Sequence, residues 1–161
     1  MAVSVGPGSF TSVRVGVTIA KSLAYSMKVK IVGVSSLEVL AMNIPSTDKN
    51  ICSIIDAKRD EVYSAVYKYS GNLLTVEREE KVEPLGLLLT DINGPTVFVG
   101  DGAVKYKEEL EANGNSILLA DSFNILRSSN CALLGSAKLI SGKADDAMEL
   151  VPNYMRKTDV E

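Results

Sequence analysis

The run Val3-Ser4-Val5-Gly6-Pro7-Gly8-Ser9-Phe10-Thr11-Ser12-Val13-Arg14 constrains the fold more than any other stretch of the chain. An apolar strand enters a glycine turn and leaves it as a helix, the local order of an α/β sheet. Gly6 and Gly8 permit close backbone approach, and the helix start presents unpaired N–H groups and the positive end of its dipole. Beyond the turn, Val13, Val17, Ala20, Ala24 and Met27 predict a helix over 12–27, with Thr11 or Ser12 as its cap and one face turned to a sheet. A strand suited to the inside of a sheet thus stands first, and further chain is expected before it.

The remaining pattern divides in two. Val29–Val34 reads as a short buried strand, Ser35 as the cap of a helix from Leu37 to about Asn43, and 44–48 as a linker, so the first segment is β-α-β-α. The second segment opens with three strands, 50–56, 61–69 and 73–82, the last two joined by the hairpin signal Ser70-Gly71-Asn72. A short helix follows, opened by Pro84; then come a strand at 96–100, a helix at 106–113 stopped by Gly114, a strand at 117–120 and a helix at 130–140. This segment reads β-β-β-α-β-α-β-α. Val5-Gly6-Pro7-Gly8 is echoed by Val99-Gly100-Asp101-Gly102, and Ser35-Ser36 by Ser128-Ser129, at nearly one offset, which suggests an internal duplication. Three antiparallel strands followed by alternating helices and strands make an RNase H-like unit, and two such units make the actin-like architecture. The expected fold class is therefore actin-like α/β, with residues 1–48 as part of a first lobe cut to β-α-β-α and 49–161 as a complete second lobe.

With 161 residues, 46% of them apolar, the chain can bury a real core. It carries 17 Lys and Arg against 20 Asp and Glu and no basic run, a poor match to a stand-alone nucleic-acid binder. There is no histidine, which removes Ser-His-Asp, Cys-His and HExxH chemistry together. Cys52 and Cys131 have no metal or redox spacing and read as buried thiols. No segment approaches the ~18 apolar residues of a membrane span, and no signal core opens the chain, so a reducing cytoplasm is expected.

Five stretches in fixed order, GPGSFTSVRVGVTIAKSLAY, VGVSSLEVLA, DAKRDEVYSAVY, VGDGAVKY and PNYMRK, resemble the bacterial TsaB (YeaZ) family over nearly the whole chain. Ser12 stands where that family usually has glycine and Val13 where it has leucine, and its members usually carry more chain ahead of this point, including a first hairpin. The resemblance implies a non-catalytic subunit in the synthesis of threonylcarbamoyladenosine at position 37 of tRNA. Such a subunit binds the catalytic paralogue TsaD and, with it, the ATPase TsaE, touches tRNA only through that complex, and forms a homodimer when alone. No cofactor of its own is implied, although ATP or ADP has a place at the subunit interface of the complex. The rival reading is an enzyme, either an actin-like ATPase or kinase or a glycoprotease-type (M22) hydrolase.

The candidate sites follow. Gly6, Gly8, Ser9 and Thr11 form either an anion-facing turn or a plain strand-to-helix turn with Phe10 packed inward; the pattern lacks the Gly-Lys-Ser/Thr of a Walker A loop. Gly100, Asp101 and Gly102 form a nucleotide-facing turn or an ordinary one, at the carboxyl end of a buried strand. Asp56 with Asp60 or Glu61 has the oxygens for Mg²⁺, yet the glycine-free stretch reads better as a solvated hairpin tip. Tyr63, Tyr67 and Tyr69 share one strand face, as stacking surfaces for a base or as half-exposed sheet residues. Gly16, Ala20 and Ala24 make a flat strip on the first helix that admits either its own sheet or another helix, and the resemblance favours a partner interface that includes Arg14. Pro152–Lys157 is expected to act as a C-terminal anchor, and the opening strand 2–5 to need a cover on its free edge from a second copy, a swapped element or a crystal neighbour.

Overall fold

In the computed structural model residues 1–155 are described. They form two units: Met1–Val39 with the residues from Arg127 onward, and Leu40–Leu126. The boundary expected near residue 48 thus falls at Val39/Leu40, and the last helix belongs to the first unit rather than the second.

In the first unit, β1 (Ala2–Gly6) and β2 (Val32–Ser35) pair in parallel, Ala2 opposite Val32. Helix α1 (Phe10–Met27) covers one face of the pair, where Ala20 and Ala24 pack with Ile31, Val3 and Leu150. The other face is covered by α6 (Ser128–Ile140), through Cys131 and Leu134 against Ala2, Val34 and Val39. Gly135 explains the capture of this helix: a Cβ there would lie 2.3 Å from that of Ala2, so only glycine lets α6 settle on β1. Because Val32 N–H donates to the Met1 carbonyl, the amides of Ala2 and Ser4 are the ones that face away from β2. Among the described residues no strand lies on that outer edge.

Helix α1 begins earlier than the sequence pattern indicates, with Ser9 rather than Thr11 or Ser12 at its N-cap position. Lys28 closes it in the left-handed conformation (φ 54), its N–H returning to the carbonyls of Ala24 and Tyr25. Helix α2 (Ser36–Ala41) is capped as expected by Ser35, whose Oγ accepts from Leu37 N–H at 3.1 Å.

The second unit is a five-stranded sheet in the order β5-β4-β3-β6-β7. Strands β3 (Asn50–Lys58), β4 (Glu61–Ser70) and β5 (Leu73–Pro84) form an antiparallel meander, while β6 (Thr96–Val99) and β7 (Ser116–Leu118) continue from β3 in parallel. The meander followed by parallel strands is the order expected of an RNase H-like unit. Its core gathers Cys52, Ile54 and Val62 from the sheet with Leu88 of α3 (Leu85–Asp91) and Leu110 of α5 (Lys107–Ala112). The helix expected at 106–113 is α5, and a further short helix, α4 (Asp101–Lys105), occupies the stretch before it that the sequence marks only as a turn, the two meeting at Tyr106. In β4 and β5 a buried carboxylate is fully partnered: Glu83 accepts from both Arg78 Nη atoms (Nη2–Oε2 2.7 Å), from Ser64 Oγ at 2.8 Å and from Lys81 Nζ at 3.2 Å.

Candidate functional site

The outer surface of α1 is the most distinctive site-like feature of the first unit. An isolated surface helix is expected to show polar residues away from its sheet. Here Val15, Ile19 and Leu23, four apart, stand 53%, 55% and 47% exposed in one row. Gly16 lies beside that row, with nothing within 4 Å of where its Cβ would be. The strip Gly16–Ala20–Ala24 is therefore split: Ala20 and Ala24 are buried against the helix's own sheet, which corrects the expectation of a partner surface there, and Gly16 alone borders the exposed ridge. The sequence signal for the ridge was present in the spacing of Val15, Ile19 and Leu23, but a second apolar stripe on the same helix masked it.

A strap formed by residues 145–155 holds α1 in place. Asp145 N–H donates to Ile31 O, and its Oδ2 accepts from Gly33 N–H at 2.7 Å. Lys21 Nζ then donates to the carbonyls of Met148 (3.0 Å) and Leu150 (2.7 Å), and Asn153 N–H to Val5 O (2.7 Å). At the end of the strap Arg14 Nε donates to Tyr154 Oη at 2.9 Å, while its guanidinium sits 4.3 Å over the Phe10 ring. Phe10 and Tyr154 have ring centroids 5.5 Å apart. Phe10 is thus out at the surface rather than packed inward, because Val13 fills the space beneath Gly6 and Gly8. The expected anchor at Pro152–Lys157 is seen through Met155; Arg156 and Lys157 lie outside the described residues.

In the opening turn Gly6 has φ +99 and Gly8 packs on Val13, while Ser9 and Thr11 are exposed. Ser9 Oγ accepts from Ser12 Oγ at 3.2 Å, and the Arg14 Nε that would serve an anion is given to Tyr154. In the second unit the glycines of Gly100-Asp101-Gly102 answer to packing: a Cβ on Gly100 would lie 2.1 Å from the Ile54 carbonyl oxygen, and one on Gly102 3.0 Å from it. The polar groups of this turn are also engaged, Gly100 N–H with Asn124 Oδ1 at 2.9 Å and Asp101 Oδ1 with Asp56 N–H at 3.1 Å.

Asp56 anchors the neighbouring hairpin tip. Its carboxylate accepts from Lys58 Nζ at 2.7 Å and Lys105 Nζ at 2.9 Å. Burial opposes its ionisation, but these hydrogen bonds and the Lys105 charge prevail and hold it at about 2. The oxygens offered in the sequence to Mg²⁺ are therefore occupied by ammonium groups. Lys58, Arg59 and Asp60 all take positive φ (63, 54 and 58), where the glycines of a phosphate loop are absent. Tyr67 is buried and Tyr69 donates to Ile44 O at 3.0 Å, so the three strand tyrosines do not form a common open face.

Residues 1–148 match the family described as TsaD: tRNA N6-adenosine threonylcarbamoyltransferase. Two crystal structures share the fold: a Pseudomonas aeruginosa protein described as similar to peptidase YeaZ (TM-score 0.77, 24% identity, 95% of this chain and 71% of that one), and YeaZ from the same organism (0.75, 23%, 94% and 72%). The class is therefore a TsaD-type, actin-like α/β protein. The tRNA threonylcarbamoyladenosine biosynthesis protein TsaB of Bacillus subtilis is 37% identical over 99% of this chain and 70% of its own length, and that of Escherichia coli 34% identical over 60% and 45%. The chain belongs to the TsaB (YeaZ) family.

Proposed function

We propose that this chain is a non-catalytic partner subunit in tRNA threonylcarbamoyladenosine biosynthesis. It pairs through the outer face of α1 with a TsaD-type catalytic paralogue and, within that assembly, meets a TsaE-type ATPase. The observation that carries this reading is the ridge Val15–Ile19–Leu23 with Gly16 beside it, an apolar helix face with room for a second helix to approach. Arg14 extends the same surface, stacked on Phe10 and held by Tyr154. In the absence of the paralogue the same ridge would pair two copies of this chain, since one exposed stripe serves a two-fold interface as well. tRNA is met only through the complex, in the cytoplasm. The subunit needs no cofactor of its own, and any ATP or ADP belongs at its joint with the paralogue. No helix of the described residues is long and apolar enough to cross a membrane.

The test is Ile19→Asp. Ile19 is exposed, so the variant should melt within ~0.5 kcal/mol of the parent while losing co-elution with the TsaD-type partner and its own dimer peak. Parent protein that fails to co-elute with that partner, or a variant that co-elutes unchanged, overturns the reading. An ATPase would need glycine N–H groups where the tip carries Lys58, Arg59 and Asp60.

A further inference from the structure

We infer that the outer edge of β5 is a docking edge for an extended segment of another protein, one that leads with Lys or Arg and continues with alternating apolar residues. This inference rests on Leu40–Leu126 alone and is independent of the pairing proposed for α1. At 12 residues β5 is the longest of the described strands, and among the described residues it pairs with β4 alone. In its regular stretch every second N–H and C=O therefore points away from the sheet, a template for one more strand. From Leu73 to Val76 that template is smooth, running from Leu73 opposite Ser70 to Val76 opposite Tyr67 without a break in register. Apolar side chains stand open along it, Leu73 at 73% exposure and Val76 at 51%.

Beyond Val76 the edge changes character. Val66 faces Arg78 while Tyr67 faces Val76, so Glu77 has no opposite residue on β4 and the strand bulges there. Arg78 and Lys81, the two cations of this stretch, are both paired with the buried Glu83. Glu77 and Glu79 are left exposed, with no side-chain partner among the described residues. An edge built only to repel other strands is charged along its length; this one is apolar for four residues and then acidic. That order sets a direction. A strand added antiparallel, continuing the alternation of β3, β4 and β5, passes the glutamates first and the apolar stretch second, so its cations belong at its amino-terminal end. The same carboxylates repel nucleic acid, and full-length pairing of two copies along β5 would set glutamates opposite one another.

The experiment titrates the whole chain with the end-capped peptide Lys-Arg-Lys-Thr-Ile-Thr-Val-Thr and, separately, with the same residues in reverse order, equal in charge and composition, following amide shifts and hydrogen exchange. The parent is compared with Glu77→Lys/Glu79→Lys and with Glu77→Gln/Glu79→Gln; both positions are exposed, and an unchanged far-ultraviolet spectrum and melting temperature certify the variants as folded. The expected result is saturable shifts centred on Leu73–Lys81, with slower exchange of alternate amides between Leu73 and Val76. The reversed peptide should bind at least about fivefold more weakly. For the forward peptide the lysine variant should lose about tenfold in affinity and the glutamine variant about threefold. Absence of saturable shifts, shifts centred elsewhere, equal binding of the reversed peptide, or full affinity in the folded lysine variant would each overturn the assignment. Slowing of the Leu73–Val76 amides with protein concentration alone would overturn it too, by giving the edge to a second copy.

Discussion

Glu83 is 2% exposed and yet ionised, because Arg78, Ser64 and Lys81 together outbid the cost of its burial. Burial alone would raise its pKa; the hydrogen bonds from Arg78, Ser64 and Lys81, with the Arg78 charge, bring it from 4.5 to about 2. A carboxylate with a depressed folded value stabilises the protein above its unfolded pKa and loses that contribution as pH falls through the folded one. Glu83→Gln should therefore cost about 3 kcal/mol in urea unfolding at neutral pH, a gap that closes between roughly pH 4.5 and 2. Gly100→Ala should be at least as costly, roughly 3 kcal/mol, since φ +118 and the Ile54 carbonyl both oppose a Cβ; calorimetric melting measures it. The glycines of this turn were visible in the sequence, but their reason was not. A glycine that admits a ligand and one that admits a neighbouring carbonyl look alike until Ile54, far back in the chain, is in place.

Most elements were legible from spacing and turn residues: the meander of β3 to β5, Ser35 as a cap, and Pro84 at the head of α3. The two faces of α1 were not assignable in this way. Residues four apart look the same whether they face the sheet or solvent, and the choice depends on β1, β2 and the strap at 145–155. Two glycines in helices give opposite forecasts for the same substitution. Gly16→Ala should raise stability by about 1 kcal/mol, because the site is open and alanine is the better helix former. Gly135→Ala should instead lower it by about 1–3 kcal/mol, the gain in propensity overwhelmed by the approach to Ala2. Thermal melts of the two variants side by side decide the point. If Gly16 borders the partner surface, its alanine variant should also bind the paralogue less tightly than the parent.

At the scale of the molecule, the sequence suggested two lobes in succession, whereas the first unit is built from both flanks of the chain around Leu40–Leu126. No local pattern marks α6 for β1 and β2 rather than for the sheet beside it in sequence; what permits the choice is Gly135, a single residue inside that helix whose bare Cα admits Ala2. The open edge of β1 makes its own forecast. In hydrogen exchange on a monomeric sample the amides of Ala2 and Ser4 should exchange fast while that of Val32, bonded to Met1 O, is slow. Slowing of Ala2 and Ser4 at higher protein concentration would mark a strand added by a second copy.

The late return of α6 and its strap also imposes a timetable on the ribosome. When α1 leaves the exit tunnel, its inner face needs a sheet whose far side is closed only by residues after Arg127, and the whole of Leu40–Leu126 must be translated first. At about 5–20 residues per second that interval is roughly 4–17 s, long enough for the contiguous unit to fold while α1 waits, apolar on both sides. Leu40–Leu126 can therefore fold before the unit whose two parts flank it in sequence, and α1 is the segment a ribosome-bound chaperone would have reason to hold.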